Sequence, residues 1–227
     1  MENILENISQ VIEFGKVNAA SPFPPELKGK PGADELTAEA LRQGISPSRV
    51  LTEGLIDGMQ KIGAKFRQDI VFVPQVLMSA RAMSAGMNHL KTYFNDGTVE
   101  RRGKFIIGTV EGDLHDIGKN LVAMMVEGSG YEVIDLGVNV KSDAFLNAIK
   151  ENPGAFVGMS ALLTTTMVNM EHVNRAIKEA FPSTITFIGG APVSKDFATH
   201  IKADYYAEEP QGLVDILNEL TDKNKEV

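Results

Sequence analysis

The sequence of 227 residues contains no cysteine. This absence excludes disulfide bonds, thiolate catalysis, zinc–thiolate sites and iron–sulfur clusters. The sequence also has no apolar run near the ~20 residues that a membrane-spanning helix needs. It does not begin with a basic segment, an apolar stretch and a small-residue cleavage site, the pattern of a secreted protein. We therefore expect a cytoplasmic protein that makes no contact with a membrane.

Positive charge is scarce as well. Lys and Arg number 22 against 30 Asp and Glu, which gives a net charge of −8. No stripe of basic residues interleaved with aromatic residues occurs, so nucleic acid is not an expected partner. The apolar content of 43% and the charged content of 23% are ordinary for a globular protein. The length allows one large domain or two small ones.

The first 95 residues carry only helical hydrophobic patterns. Four segments, residues 3–15, 33–44, 46–66 and 73–94, place apolar residues at helical spacing. Ser46 and Pro47 are typical of the beginning of a helix, and Gly44 is typical of the residue after one. We predict a four-helix bundle over residues 1–95, followed by a polar linker over residues 96–103.

The pattern changes in residues 104–227. Five short strand-like runs, KFIIGTV, YEVIDLG, AFVGMSAL, TITFIGG and DYYAE, alternate with segments of helical spacing near 117–128, 142–150, 166–180, 194–202 and 210–221. Such alternation indicates an α/β domain with a parallel sheet and right-handed crossovers. The flavodoxin-like (Rossmann-like) strand order 2-1-3-4-5 fits five strands best. Ligands of that fold bind at the carboxyl ends of the first and third strands.

An unusual segment, EGDLHDIGKN, follows the first predicted strand. Its one histidine, His115, lies among the carboxylates of Glu111, Asp113 and Asp116. A hard-metal site is one interpretation. A second is a simple turn in which an aspartate caps the next helix and the histidine is incidental. A third is that His115 is the single axial ligand of a metal held in a macrocycle, with Asp113 on the other ring nitrogen.

Two common phosphate-binding patterns do not fit the same segment. Five residues separate Gly112 from Gly118, and Asn120 stands where a phosphate loop has Ser or Thr. The dinucleotide pattern G-x-G-x-x-G is absent. A phospho-acceptor domain of this topology needs an aspartate at the end of the third strand, which here reads VGMSALL. The residues alone leave the three interpretations of His115 open.

Three motifs taken together resemble a known family. D-x-H-x-x-G is formed by Asp113, His115 and Gly118; S-x-L follows at Ser160 and Leu162; and a glycine pair follows at 189–190. This combination resembles the cobalamin-binding domain family. The helical segments LIDGMQKIGAKF and FVPQVLMSARAM resemble the cap module of the same proteins. The whole is similar to corrinoid methyl-carrier proteins of methanol, methylamine and aromatic O-demethylase methyltransferase systems, relatives of the cobalamin module of methionine synthase.

The resemblance implies a cofactor, cobalamin, in methylcobalamin or hydroxocobalamin form. It implies that His115 replaces the displaced dimethylbenzimidazole as lower axial ligand of cobalt, with Asp113 and Thr166 forming a relay behind it. The nucleotide tail would enter a slot between the first and third strands, which glycines keep open. The further residues implied to bind the cofactor are Gly112, Leu114, Asp116, Ile117, Gly118, Ser160, Leu162, Thr164, Gly189 and Gly190, of which the last five bond or line the slot. The loop 208–210 is implied to close the slot, and Phe66, Val73 and Glu53 of the cap to face the corrin.

The resemblance also implies a function. The chain would be a carrier subunit that is not itself a catalyst. It would take a methyl group from a substrate:corrinoid methyltransferase and give it to a second methyltransferase, whose acceptor is a compound such as tetrahydrofolate or a thiol. A reductive activase would be a further partner. A cobalamin-dependent sensor and the cobalamin subunit of a mutase are the alternatives.

Some residues depart from the family pattern. Glu111 stands where a lysine is frequent, residues 67–69 read Arg-Gln-Asp in place of Gly-acid-Gly, and Val73 replaces a common leucine. None of these positions is the implied axial ligand. They leave the methyl donor undecided among methanol, methylamines, aryl methyl ethers and betaines.

Overall fold

The computed structural model describes residues 4–225 and contains two compact units. The first unit comprises the residues up to Arg101 together with residues 128–130, and the second comprises the rest. The division lies inside the predicted linker, and segment 96–103 has neither helix nor strand. Within the described part of the chain, every helix is too short or too polar to cross a bilayer.

The first unit is helical, as predicted. Its elements are α1 (Ile4–Glu13), a 3-10 turn (Pro25–Leu27), α2 (Ala33–Arg42), α3 (Pro47–Arg49), a π-helical segment (Val50–Ile56), α4 (Asp57–Arg67), α5 (Val73–Asn88) and α6 (Lys91–Asn95). Helix α3, the π-helical segment and α4 follow one another without a break, so four main helices result. Pro47 is in the first turn of α3, where its missing N–H costs nothing.

The π-helical segment lies where two helices approach closely. A Cβ atom on Gly54 would lie 3.0 Å from Ile8 Cγ2, and one on Gly58 would lie 2.5 Å from the Ser9 carbonyl oxygen. The two glycines therefore let α1 pack directly on this helix. The hydrophobic spacing predicted a regular helix here and gave no sign of the wider π turn, which is rare in any sequence.

The predicted helix 73–94 is interrupted after Asn88. His89 N donates to Gly86 O at 3.1 Å and Leu90 N donates to Met87 O at 3.0 Å, bonds that tighten the last turn of a helix. A ring nitrogen of His89 lies 2.6 Å from Asp34 Oδ1 of α2. Apolar spacing continues through fully buried Leu90, which is why the pattern did not reveal the break.

The second unit confirms the predicted α/β fold. It consists of β1 (Lys104–Thr109), α7 (Ile117–Gly128), β2 (Glu132–Asp135), α8 (Ser142–Glu151), β3 (Phe156–Ser160), α9 (Thr164–Ala180), β4 (Thr186–Gly189), α10 (Lys195–Ile201), β5 (Tyr205–Tyr206) and α11 (Pro210–Lys225). All pairings are parallel and the strand order is β2-β1-β3-β4-β5. This is the predicted order.

The register of the strands places three carboxyl ends side by side. Thr109 pairs with Ser160, and Ser160 pairs with Gly189. The core behind this edge includes Ile106 of β1 and Phe145 of α8, both with 0% of their surface exposed. The chain segments that leave β1, β3 and β4 therefore emerge next to one another from a rigid sheet.

Candidate functional site

Asp113 is the centre of the hydrogen-bond network at this edge. Its side chain is fully buried, yet both oxygens accept bonds. Oδ1 accepts from the His115 backbone N at 3.0 Å and lies 2.7 Å from His115 Nδ1. Oδ2 accepts from Leu162 N at 2.8 Å and from Thr166 Oγ1 at 2.6 Å. One carboxylate thus joins the loop after β1, the loop after β3 and the first turn of α9.

These bonds determine the ionisation of Asp113. Burial alone would raise its pKa, but hydrogen bonds from the Thr166 hydroxyl, the Leu162 and His115 N–H groups and the His115 ring outweigh burial and hold the pKa far below its usual value. The carboxylate is therefore charged and only accepts. His115 Nδ1 must then be the donor, and a neutral ring carries its lone pair on Nε2.

His115 presents that lone pair outward. Half of its side-chain surface is exposed, and Nε2 has no hydrogen-bond partner among the described residues 4–225. The Thr109 hydroxyl donates to the His115 carbonyl at 2.9 Å and fixes the backbone. Leu114 and Ile117, on either side in sequence, are 71% and 78% exposed. An oriented nitrogen ligand between two exposed apolar side chains is suited to a metal inside a large apolar macrocycle.

The other interpretations of this loop find less support. In the described part of the chain, no group of three or more His, Asp or Glu side chains is arranged to hold a metal ion. Asp116 accepts from Asn120 Nδ2 at 3.0 Å, and Glu111 lies 3.9 Å from Lys141 Nζ. Asp113 bonds to its own loop, to Leu162 and to α9. Its carboxylate is therefore not used to cap α7, and the His115 ring has a defined partner in Asp113.

A cleft opens beside the loop, between the ends of the strands and α7. Its volume is about 140 Å³. Gly118, Ser160, Gly189 and Gly190 line it, together with residues 207–210. The Ser160 hydroxyl has no hydrogen-bond partner among residues 4–225 and is available to a ligand. Leu162 and Thr164 are exposed residues outside this lining.

The glycines of the cleft serve different purposes. Gly190 has φ +129°, and a Cβ there would lie 1.9 Å from the Ala161 carbonyl oxygen. A Cβ on Gly189 would lie 3.0 Å from the Ala207 carbonyl oxygen. The protein's own backbone thus requires glycine at 190 and favours it at 189, where the resemblance implied only a ligand. A Cβ on Gly118 would meet no atom within 4 Å, so the protein itself does not require glycine there.

Sequence reasoning missed Lys119. Its side chain is only 2% exposed, it lines the cleft, and its ammonium lies 2.5 Å from Asp135 Oδ2 and 2.7 Å from Asn120 Oδ1. A buried cation needs such partners. Its position directly after Gly118 of the motif could have identified it as a site residue from the sequence. Two other missed residues, Asn139 and Asn169, bond to the backbone of residues 111–113 and have no recognisable sequence pattern.

The implied cap residues lie in the first unit. Phe66 is in the last turn of α4 and Val73 begins α5, and both are partly exposed. Glu53 belongs to the π-helical segment and makes a two-pronged ion pair with Arg49, at 2.7 and 2.8 Å. Ile70 and Phe72, in the turn between Phe66 and Val73, are 60% and 62% exposed. Sequence reasoning did not single out these last two.

Comparison with known proteins agrees with the geometry. Two family models, both described as B12 binding domain, match residues 103–214 and 30–91. A trimethylamine corrinoid protein of Methanosarcina mazei is 38% identical over 92% of this chain and 96% of the relative. A corrinoid protein of Desulfitobacterium hafniense is 36% identical over 83% of this chain and 90% of the relative.

Solved structures give the same answer. The crystal structure of the methanol:cobalamin methyltransferase complex of Methanosarcina barkeri contains a chain with TM-score 0.81 and 27% identity. The match covers 97% of this chain and 80% of that one. The cofactor predicted from the motifs, cobalamin, is thereby confirmed, and the space beside Gly118 and the free Nε2 of His115 suit it. This chain belongs to the family of cobalamin-binding corrinoid proteins of methyltransferase systems.

Proposed function

We propose that this protein is a methyl carrier that binds cobalamin with the nucleotide base displaced and His115 as the lower axial ligand. The observation that carries the proposal is the state of the His115 ring. Its Nδ1 is held 2.7 Å from a buried, charged Asp113, while its Nε2 is exposed and free of partners among the described residues. A histidine with one nitrogen oriented by a carboxylate is a typical metal ligand.

Bound cobalamin supplies a cobalt centre that can accept a methyl group and release it to an acceptor. The protein's part is to orient the His115 ring and to shield the bound cofactor. Asp113 fixes the tautomer and the direction of the His115 ring, and Thr166 Oγ1 holds Asp113 at 2.6 Å. When cobalamin is bound, Asp113 and Thr166 would keep the Nδ1 proton of His115 in place and the ring in its orientation. The cleft lined by Gly118 and Ser160 receives the displaced nucleotide tail.

The partners we propose are two separate methyltransferases and a reductive activase. The first methyltransferase moves the methyl group from the substrate to the carrier. The second moves it on to an acceptor such as tetrahydrofolate or a thiol. Similarity over nearly full length to a trimethylamine corrinoid protein supports a methylamine as the methyl donor. Phe66, Val73 and Glu53 remain candidates for the cap surface that covers the corrin.

The axial ligand is tested by absorption spectroscopy. Purified protein is mixed with hydroxocobalamin and desalted, and the spectrum is recorded for the wild type, His115→Ala and His200→Ala. His200 is an exposed residue of α10 and serves as the matched histidine control. We expect a retained corrinoid with the base-off, histidine-on spectrum in the wild type and the control, and loss of that spectrum in His115→Ala. A wild type that retains no corrinoid, or a mutant with an unchanged spectrum, would refute the assignment.

The methyl donor is tested with labelled substrates. The loaded carrier is incubated with a trimethylamine, dimethylamine, monomethylamine or methanol methyltransferase and the corresponding labelled donor. Transfer of label to the protein-bound corrinoid is expected with a methylamine system. Transfer from methanol alone would overturn the choice of donor and keep the carrier role. The absence of transfer from every donor would count against the carrier role itself.

A further inference from the structure

The chain makes a tight turn just before the candidate axial ligand. Asp113 N donates to Val110 O at 3.1 Å, which closes a four-residue turn over Val110–Asp113. Gly112 has φ +83°, and Glu111 does not have a positive φ. These values identify a type II turn. A type I turn of the same residues would differ by rotations of about 150–170° on both sides of the Glu111–Gly112 peptide group.

Two asparagines hold that one peptide group from its two edges. Asn139 Oδ1 accepts from Gly112 N at 2.8 Å. Asn169 Nδ2 donates to Glu111 O at 2.7 Å. The Glu111 carbonyl and the Gly112 N–H belong to the same peptide, and they point in opposite directions. Asn139 comes from the segment after β2 and Asn169 from α9, so two separate elements fix one peptide plane.

Asn139 is itself firmly placed. Its backbone has φ +55°, a left-handed conformation that asparagine tolerates better than most residues. Its N–H donates to Asp113 O at 2.9 Å. The segment that carries Asn139 is thus bonded to the residue that orients His115 as well as to the turn before it.

We propose that Asn139 and Asn169 lock the Glu111–Gly112 peptide in its type II orientation and so position Asp113 and His115 for axial ligation. Both are positioning residues, and neither needs to touch the cofactor. The bond between Val110 and Asp113 exists in either turn type and cannot choose between them. Only the type II orientation gives both asparagines their partners. The inference rests on the proposed role of His115 as a ligand.

The variants are chosen to separate the lock from general stability. Asn139→Gly keeps the left-handed backbone and its N–H bond but removes the acceptor, and Asn139→Asp restores an acceptor oxygen. Asn169→Leu removes the side-chain donor to Glu111 O and keeps a side chain of similar size. Gly112→Ala leaves both asparagines in place but disfavours φ +83°. The control is Asn174→Leu, on the same helix α9, which loses a 2.8 Å bond to Ile201 O far from the turn.

Two readouts decide the matter. In the protein without cofactor, the NMR nuclear Overhauser effect between Glu111 Hα and Gly112 HN is strong for a type II turn and weak for type I. In the cobalamin complex at fixed pH, the visible spectrum gives the fraction in the histidine-on form. We expect the ratio of type II to type I turn to fall roughly two- to ten-fold with each lost bond. The histidine-on fraction should fall with it, while Asn139→Asp and Asn174→Leu should stay near the wild type.

Each contrary result has a defined meaning. An unchanged Overhauser effect in Asn139→Gly and Asn169→Leu would refute the lock. A reduced effect with an unchanged histidine-on fraction would refute the positioning of His115. A wild type that binds no cobalamin would refute the proposed function and the positioning with it. In that case the Overhauser effect in the cofactor-free protein would still decide whether the asparagines set the turn type.

Discussion

Replacing Gly118 by alanine should separate folding from cofactor binding. Gly118 lies in the first turn of α7 and does not have a positive φ. A Cβ there would meet no atom within 4 Å. Alanine reduces the entropy of the unfolded chain and has the higher helix propensity. We therefore expect Gly118→Ala to raise the free energy of unfolding of the cofactor-free protein by up to about 1 kcal/mol.

The same methyl group should weaken cobalamin binding. Gly118 lines the cleft that we propose for the nucleotide tail. An extra methyl group in a filled, closely packed site costs about 1–3 kcal/mol, which corresponds to roughly a 5- to 150-fold loss of affinity. Stability and affinity should thus change in opposite directions.

Gly190→Ala is the matched comparison in the same cleft. Its Cβ would lie 1.9 Å from the Ala161 carbonyl oxygen at a φ of +129°. Backbone atoms on both sides cannot yield cheaply, so the free energy of unfolding should fall by about 3 kcal/mol or more. Two identical substitutions in one cleft should therefore have opposite effects on folding.

Urea unfolding followed by circular dichroism measures the free energy of unfolding, and titration with hydroxocobalamin followed by absorbance measures the affinity for cobalamin. A Gly118→Ala protein that binds cobalamin as tightly as the wild type would refute the assignment of the cleft to the tail. A cofactor-free Gly118→Ala protein that is clearly destabilised would contradict the open space beside Gly118. Either result can be obtained without a partner enzyme.

Two further predictions concern charge. Hydrogen bonds hold the pKa of Asp113 well below 3.8, so its contribution to stability is present above that pH and is lost as the pH falls through the lower folded-state pKa. In urea titrations, the difference in unfolding free energy between the wild type and Asp113→Asn should therefore be larger at pH 7 than at pH 3. The wild type loses about 1.4 kcal/mol of unfolding free energy for each pH unit of descent between the unfolded-state and folded-state pKa values. A difference that does not depend on pH would contradict a charged Asp113 carboxylate. For the pair of Lys119 and Asp135, Asp135→Asn should lower the unfolding free energy by about 1–3 kcal/mol, because it leaves the buried Lys119 ammonium without its anion. Lys119→Met should cost less, because the partly exposed Asp135 carboxylate regains contact with water. Equal costs in urea unfolding would show that the burial of Lys119 does not matter.

The topology of the second unit could be predicted because it depends on local patterns. Strand and helix periods alternate from Lys104 onward, and right-handed parallel crossovers leave few possible strand orders. The same rules place the ends of β1 and β3 together, which predicted the location of the candidate site. His115 stood out because a turn between a buried strand and a helix has no need of an imidazole.

Other features depend on contacts between distant segments and had no local signal. The π-helical segment occurs where Gly54 and Gly58 meet α1, and the break after Asn88 occurs beside Asp34 of α2. Neither changes the hydrophobic period. The roles of Asn139 and Asn169 also require the fold, since they bond to a peptide 27 and 58 residues away in sequence.

The motif residues near Asp113 contribute through different atoms, which the letters of the motif do not show. Leu162 supplies its backbone N–H to Asp113, a bond that any residue except proline could make. Its side chain is 44% exposed and does not take part in that bond. The leucine side chain is therefore not part of the relay, and it is exposed as those of Leu114 and Ile117 are. Thr166 supplies a side-chain hydroxyl to the same carboxylate, so the relay needs its chemical identity. The geometry thus divides these residues into one that holds Asp113 through its side chain and one that holds it through the backbone alone.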